Sequence, residues 1–254
     1  PDMLHYGLLP RHPDWAPFLA RLRYVVLDEL HAYRGVFGTH VALILRRLLR
    51  LARHYGASPQ VLAASATIAN AREHAEALTG LPFEELKAQV ARTERELLVL
   101  LPKPLDRRGG RRRSPLLEAA YLARRLAEAG LKGLVFAGAR KSAELIARYA
   151  AHPLVRPYRA GYTARERRRL EADLKEGRVR VLVSTSALEL GVDIGELDAV
   201  VLVGYPGSTA AFWQRAGRAG RGERRALLVY IPREDPMDEY FLHRPALLLE
   251  SPPE

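Results

Sequence analysis

From residue 115 to residue 231, short apolar runs alternate with amphipathic stretches of helix length, and no other feature constrains the fold as tightly. The spacing predicts helix 115–129, strand 132–137, helix 140–151, strand 154–158, helix 163–176, strand 179–184, helix 186–190, strand 198–203, helix 209–219 and strand 225–231. A run such as Ala199-Val-Val-Leu-Val203 leaves no face for water, so such strands must be buried on both sides. Strand, helix and strand in strict succession then imply an α/β fold: a parallel sheet with helices on both faces.

A smaller set of elements precedes it. Arg23-Tyr-Val-Val-Leu27 reads as a buried strand that delivers Asp28 and Glu29 to its carboxyl end. Between Val36 and Tyr55 apolar residues recur at helical spacing, and Gly56 supplies a left-handed stop. Gln60–Ala64 is the next strand, leading into Ser65-Ala66-Thr67. Asn70 is expected to cap a further helix in a capping box with Glu73, and Gly80 to end it. A boundary is expected near residues 82–93. Beyond a strand at 96–101, the run PKPLDRRGGRRRSP has linker composition, with five arginines expected to be solvated. The expected domains are residues 1–92 and 93–254.

Composition narrows the functional classes. No stretch approaches the roughly 20 uninterrupted apolar residues of a membrane-spanning helix, and the N-terminus lacks the pattern of a signal peptide. A soluble, intracellular protein is expected, cytoplasmic and nucleoid-associated in a prokaryote. Zero cysteines exclude disulfides and thiolate metal sites, and the eight histidines show no His-Glu-x-x-His spacing. The formal charge of +11 suits a protein that meets phosphate backbones. The competing reading is genomic: only five of the 40 basic residues are lysine, an excess of arginine that a GC-rich genome would also produce.

An Asp-Glu pair at the carboxyl end of a buried strand is the Walker B arrangement. One carboxylate holds Mg²⁺ and the other orients or deprotonates the attacking water, roles that Asp28 and Glu29 fit. Taken alone the pair could equally be an acidic turn. The residues downstream decide, because Asp28-Glu29-Leu30-His31 precedes Ser65-Ala66-Thr67 by about 35 residues. Here the chain resembles the superfamily-2 helicases, whose motifs II and III read DExH and SAT. Residues 134–144 are similar to motif IV, residues 158–162 to the loop after it, residues 184–194 to motif V, and Gln214-Arg-Ala-Gly-Arg218-Ala-Gly-Arg221 to motif VI. Asp28–His40, Tyr205-Pro-Gly and Phe212-Trp213 narrow the resemblance to the MrfA-type DNA-repair helicases, a group related to RecQ4-like enzymes. It covers nearly the whole chain: Pro1–His5 resembles part of motif Ib, and Asp238–Pro245 the lead into a C-terminal domain.

The resemblance implies two RecA-like domains with ATP and Mg²⁺ between them, and ATP-driven 3′-to-5′ unwinding of DNA in repair. It implies that Arg218 and Arg221 act as arginine fingers, that Gln214 senses the γ-phosphate, and that Asp193 links nucleotide to nucleic acid. Asp28, Asp193, Arg218 and Arg221 would hold the nucleotide, and His31, Ser65 and Thr67 would couple motifs II and III. Phosphate contacts to the nucleic acid are expected from Ser184 and Thr185, with Arg140 and Arg159 behind them. Arg165–Arg169 share a helix with Glu166, Glu171, Asp173 and Glu176 and read as a salt-bridged outer face. Loops that read phosphates accept DNA or RNA; the resemblance is what favours DNA.

The chain departs from the family pattern in two respects: no Gly-x-x-x-x-Gly-Lys-Thr/Ser run occurs in it, and with zero cysteines it lacks the family's four-cysteine metal-binding domain at the C-terminus. Gly133–Ser142 places Lys141 two positions late, inside a strand-loop pattern that leaves no phosphate loop. The expectation is therefore a first domain without its Walker A strand and loop, in a chain cut at both ends. Two alternatives remain open at this point, a non-catalytic nucleic-acid-binding module descended from a helicase and a translocase subunit.

Overall fold

The structure, a computed structural model, describes residues 1–65, 70–86, 95–105, 112–188, 194–220 and 225–250. They form two compact units, one within Pro1–Gln89 and one within Val90–Ser251.

The first unit begins with a π-helical segment, Met3–Leu8, and the short helix α1 (Ala16–Leu19). Strand β1 (Tyr24–Leu27) pairs in parallel with β2 (Gln60–Ala63), Tyr24 opposite Gln60 and Leu27 opposite Ala63. Between them runs α2 (Gly35–His54), which buries Gly38, Val41, Leu45, Leu48, Leu49 and Ala52, a stripe at helical period. Its Val41 and Leu45 cover Leu27 on one face of β1. The other face is open, with Tyr24 59% and Val26 65% exposed, as expected of a first domain without its Walker A strand. The reason is the sheet itself, which among the described residues has two strands and a helix on one side.

Gly56, with φ +85°, ends α2 as expected, and Gly80, with φ +74°, ends α3 (Ala71–Thr79). The capping box at Asn70 does not form. Asn70 has φ −110° and ψ 43°, outside the extended region a capping residue needs, and its side chain caps nothing. Gly38 has a firmer requirement. A Cβ there would lie 2.2 Å from the carbonyl oxygen of Tyr33, which is backbone and cannot swing away. Gly38→Ala is therefore expected to destabilise this unit by about 1–3 kcal/mol despite alanine's better helix propensity. Urea unfolding followed by Trp15 fluorescence in a Trp213→Phe background would register the loss, and an unchanged midpoint would contradict it.

The second unit is a six-stranded, all-parallel sheet of β3 (Arg95–Val99), β4 (Gly133–Phe136), β5 (Val155–Pro157), β6 (Val181–Ser184), β7 (Ala199–Val203) and β8 (Ala226–Ile231), in the order β3-β8-β7-β4-β6-β5. Alternation along each strand sorts two cores. Leu134, Phe136, Leu182, Val200, Leu202, Leu228 and Tyr230 point to one face, and Val135, Val181, Val183, Val201, Val203, Val229 and Ile231 to the other. On the valine face lie α4 (Pro115–Glu128) and α5 (Arg140–Ala150), which meet small strand residues with small helix residues: Ala119, Ala120, Ala123, Ala127, Ala143 and Ala150. The bulkier face is covered by residues of α6 (Ala164–Lys175), α7 (Thr209–Ala216), α8 (Pro236–His243) and α9 (Ala246–Glu250).

α6 starts with a complete Thr163–Glu166 capping box, and Arg169 and Arg178 both face Asp173. Glu171 instead accepts the hydroxyl of buried Tyr158 at 2.7 Å, and burial, then that bond, raises the tyrosine's pKa. In the linker, Arg112 donates to the Pro102 carbonyl and Arg113 lies 3.7 Å from buried Glu118, although both remain exposed. Among the described residues, no helix is long and apolar enough to cross a membrane.

Candidate functional site

At the carboxyl end of β1 the chain turns abruptly. The exposed Asp28 accepts the Glu29 N–H on Oδ1 at 2.9 Å, and Glu29 takes the left-handed conformation, φ 51° and ψ 51°. That conformation costs a non-glycine residue on the order of 1 kcal/mol and needs surroundings that enforce it. Leu30 provides them: its side chain is buried with Ala75 and Leu78, and its N–H donates to the Ala64 carbonyl at 2.9 Å. The turn places His31 between two segments far apart in sequence. Its Nδ1 lies 3.3 Å from Ser65 Oγ and 3.5 Å from Glu29 Oε2, with the side chain 11% exposed. Thus Glu29, His31 and Ser65 meet at the carboxyl edge of the β1–β2 pair. Among the described residues Asp28 Oδ2 has no hydrogen-bond partner, and the exposed carboxylate fits a Mg²⁺ ion held by one carboxylate, with phosphates and water completing its shell. Thr67 lies outside the described residues.

In the second unit α7 presents the other charged candidates. Ser208 caps it by accepting the Ala211 N–H, and Phe212 and Ala216 anchor it with fully buried side chains. Gln214 is half-buried on this anchored helix. Arg218 lies in the turn behind it, 6% exposed, with its N–H donating to the Arg215 carbonyl. The guanidinium of Arg215, which sequence reasoning passed over, lies 5.4 Å from the centre of the Phe136 ring. Asp193 and Arg221 lie outside the described residues.

The nucleic-acid candidates divide. Ser184 is 0% exposed, and its Oγ has no hydrogen-bond partner among the described residues. It ends β6 on the same face as Leu182, with its hydroxyl shielded from solvent. Thr185, one residue on, is half-buried at the strand's carboxyl end, and Arg140 is exposed at the start of α5. Arg159 pairs with Glu144 and lies 4.7 Å over the ring of Tyr162; that tyrosine, and after it Glu144, raises its pKa. Nothing in the sequence pattern marks Tyr162 for that contact.

Residues 1–77 match the DEAD/DEAH box helicase family and residues 116–223 the helicase conserved C-terminal domain. The chain belongs to the superfamily-2 helicases, in the MrfA-type group. It is 41% identical over 263 residues to the ATP-dependent helicase YprA of Bacillus subtilis, covering 100% of this chain and 35% of that protein. A crystal structure of the helicase MrfA bound to DNA and AMPPNP superposes with a TM-score of 0.91 at 41% identity, over 100% of this chain and 37% of that one. The helicase Lhr of Mycobacterium smegmatis, bound to single-stranded DNA and AMP-PNP, gives a TM-score of 0.74 at 32% identity, over 88% of this chain and 30% of that one. The chain therefore spans about a third of the length of these relatives.

Proposed function

We propose that this chain forms part of the motor of an ATP-dependent DNA helicase, unwinding 3′ to 5′ in DNA repair. The observation that carries this reading is the meeting of Glu29, His31 and Ser65, because it ties the acid beside the nucleotide to the motif III hydroxyl. Asp28 would hold Mg²⁺ through its carboxylate, and the ion would supply neutralisation of phosphate charge there. Glu29 takes the proton of the water that attacks the γ-phosphorus, as the bond to the β-phosphate oxygen breaks. Gln214 senses the γ-phosphate, and Arg218 and Arg221 stabilise the charge that develops on the transferred group. His31, Ser65, Thr67 and Asp193 pass the change to the strand-gripping edge, where Thr185, Arg140 and Arg159 hold phosphates without reading bases. The relatives bound to DNA and a nucleotide analogue support this assignment of ligands.

This reading requires nucleic-acid binding, and that is the first test. Anisotropy of a labelled single-stranded DNA oligomer, repeated with RNA of the same sequence, should give tighter binding to DNA. Log K should fall with log salt at a slope of about −2 to −3.5, as for three to five phosphate contacts at ~0.7 each. Absence of binding, or binding indifferent to salt, would contradict the phosphate-gripping edge, and preference for RNA would overturn the DNA assignment.

A further inference from the structure

Among the described residues the helicase motifs leave two buried carboxylates of the second unit unused, Glu118 and the more deeply buried Asp238. Asp238, near the start of α8, is 0% exposed. Its Oδ1 accepts the Tyr205 N–H at 2.7 Å and the Tyr230 hydroxyl, whose pKa burial and then this bond push up. Its Oδ2 lies 3.5 Å from Arg233 Nε. A buried carboxylate is tolerated only with such compensation, and here it joins the segment after β7, the strand β8 and helix α8.

Arg233 is the outward end of this knot. Its guanidinium lies across the carboxyl ends of three strands. A Cβ on Gly204, just after β7, would fall 2.1 Å from its Nε, and one on Gly138, just after β4, 3.2 Å from Nη1. Both positions must be open for the arginine to lie there. Gly138 also stands two residues before Arg140, at the edge assigned above to the nucleic acid. An arginine placed only to neutralise Asp238 could sit wholly inside, yet this side chain is 44% exposed and its one ion-pair partner among the described residues faces Nε. The two Nη groups keep donors in the planar fork that matches a phosphate. In open parallel sheets ligands bind at this edge.

We propose that Arg233 is a phosphodiester-binding residue, continuing the track of Arg140 and Thr185 toward β8, with Asp238 as the residue that positions it; this rests on the nucleic-acid-binding reading above. The same end of the sheet carries Glu234 and Glu239 beside Arg112 and Arg113. These charges offset one another, so the attraction is that of a single oriented fork on one phosphate and not of a broad basic patch.

The test uses this chain with a labelled single-stranded DNA oligomer. A double variant, Arg233→Gln with Asp238→Asn, removes the buried charge and its partner together, and the asparagine keeps an acceptor for Tyr205 and Tyr230. It should fold, bind about 10-fold more weakly, and lose about 0.7 from the salt slope, one phosphate contact. A folded double variant with the wild-type slope would show a purely structural pair and overturn the proposal. Phenylglyoxal modification of the wild type, read by mass spectrometry, does not depend on the variant folding: DNA should protect Arg233, and equal modification with and without DNA would overturn the proposal. Failure of the wild type to bind DNA would sink the nucleic-acid reading itself, a result distinct from binding that ignores Arg233.

Discussion

Replacing Glu29 by glutamine is expected to abolish ATP turnover while leaving nucleotide binding intact. The setting for this measurement is a chimera in which the chain replaces the 263 matching residues of the Bacillus subtilis relative. Glutamine keeps the shape of the side chain but cannot accept the proton of the attacking water. A positioned base of this kind contributes about 100- to 10,000-fold. The substitution also takes the negative charge from the oxygen 3.5 Å from His31, so communication with Ser65 should weaken as well. Steady-state hydrolysis and AMPPNP binding together decide the matter. A kcat within a factor of about three of the unsubstituted chimera would remove Glu29 from the chemistry.

Arg218→Ala should be at least as severe. Arginine fingers contribute about 10³- to 10⁵-fold to turnover, because the guanidinium meets charge that appears only in the transition state. Arg218 is 6% exposed, so its loss could also disturb the turn behind α7. Arg218→Lys separates the two effects: it retains a cation of similar reach but not the planar fork. Both variants should lose kcat, and the lysine variant should keep the unfolding midpoint. Recovery of turnover in the lysine variant would mean that charge alone is needed there; near-normal turnover with alanine would refute the finger assignment.

The second unit was largely legible in the sequence, because continuous apolar runs and helical periods alternate without interruption from α4 to β8. That legibility had a limit set by the same physics. A strand buried on both faces carries no polar alternation, so the direction of Ser184 could not be read, and it turned out to share the Leu182 face. Asn70 and Glu73 had the right spacing for a capping box, but spacing does not set φ and ψ, and Asn70 is outside the required region. The motif residues Asp28, Glu29, His31 and Ser65 could be named from their order. Their meeting depends on the left-handed turn at Glu29, which no residue preference announces. The Arg233–Asp238 pair was invisible for another reason: the two are five apart across a loop and helix start, and only the glycines after β4 and β7 make room for it.

The most direct test of the motor assignment is ATP hydrolysis by the chimera with and without single-stranded DNA, with the Glu29→Gln chimera as control for contaminating activity. The account predicts turnover that DNA stimulates and the substitution abolishes. A folded chimera that binds DNA but hydrolyses ATP no faster in its presence would contradict it.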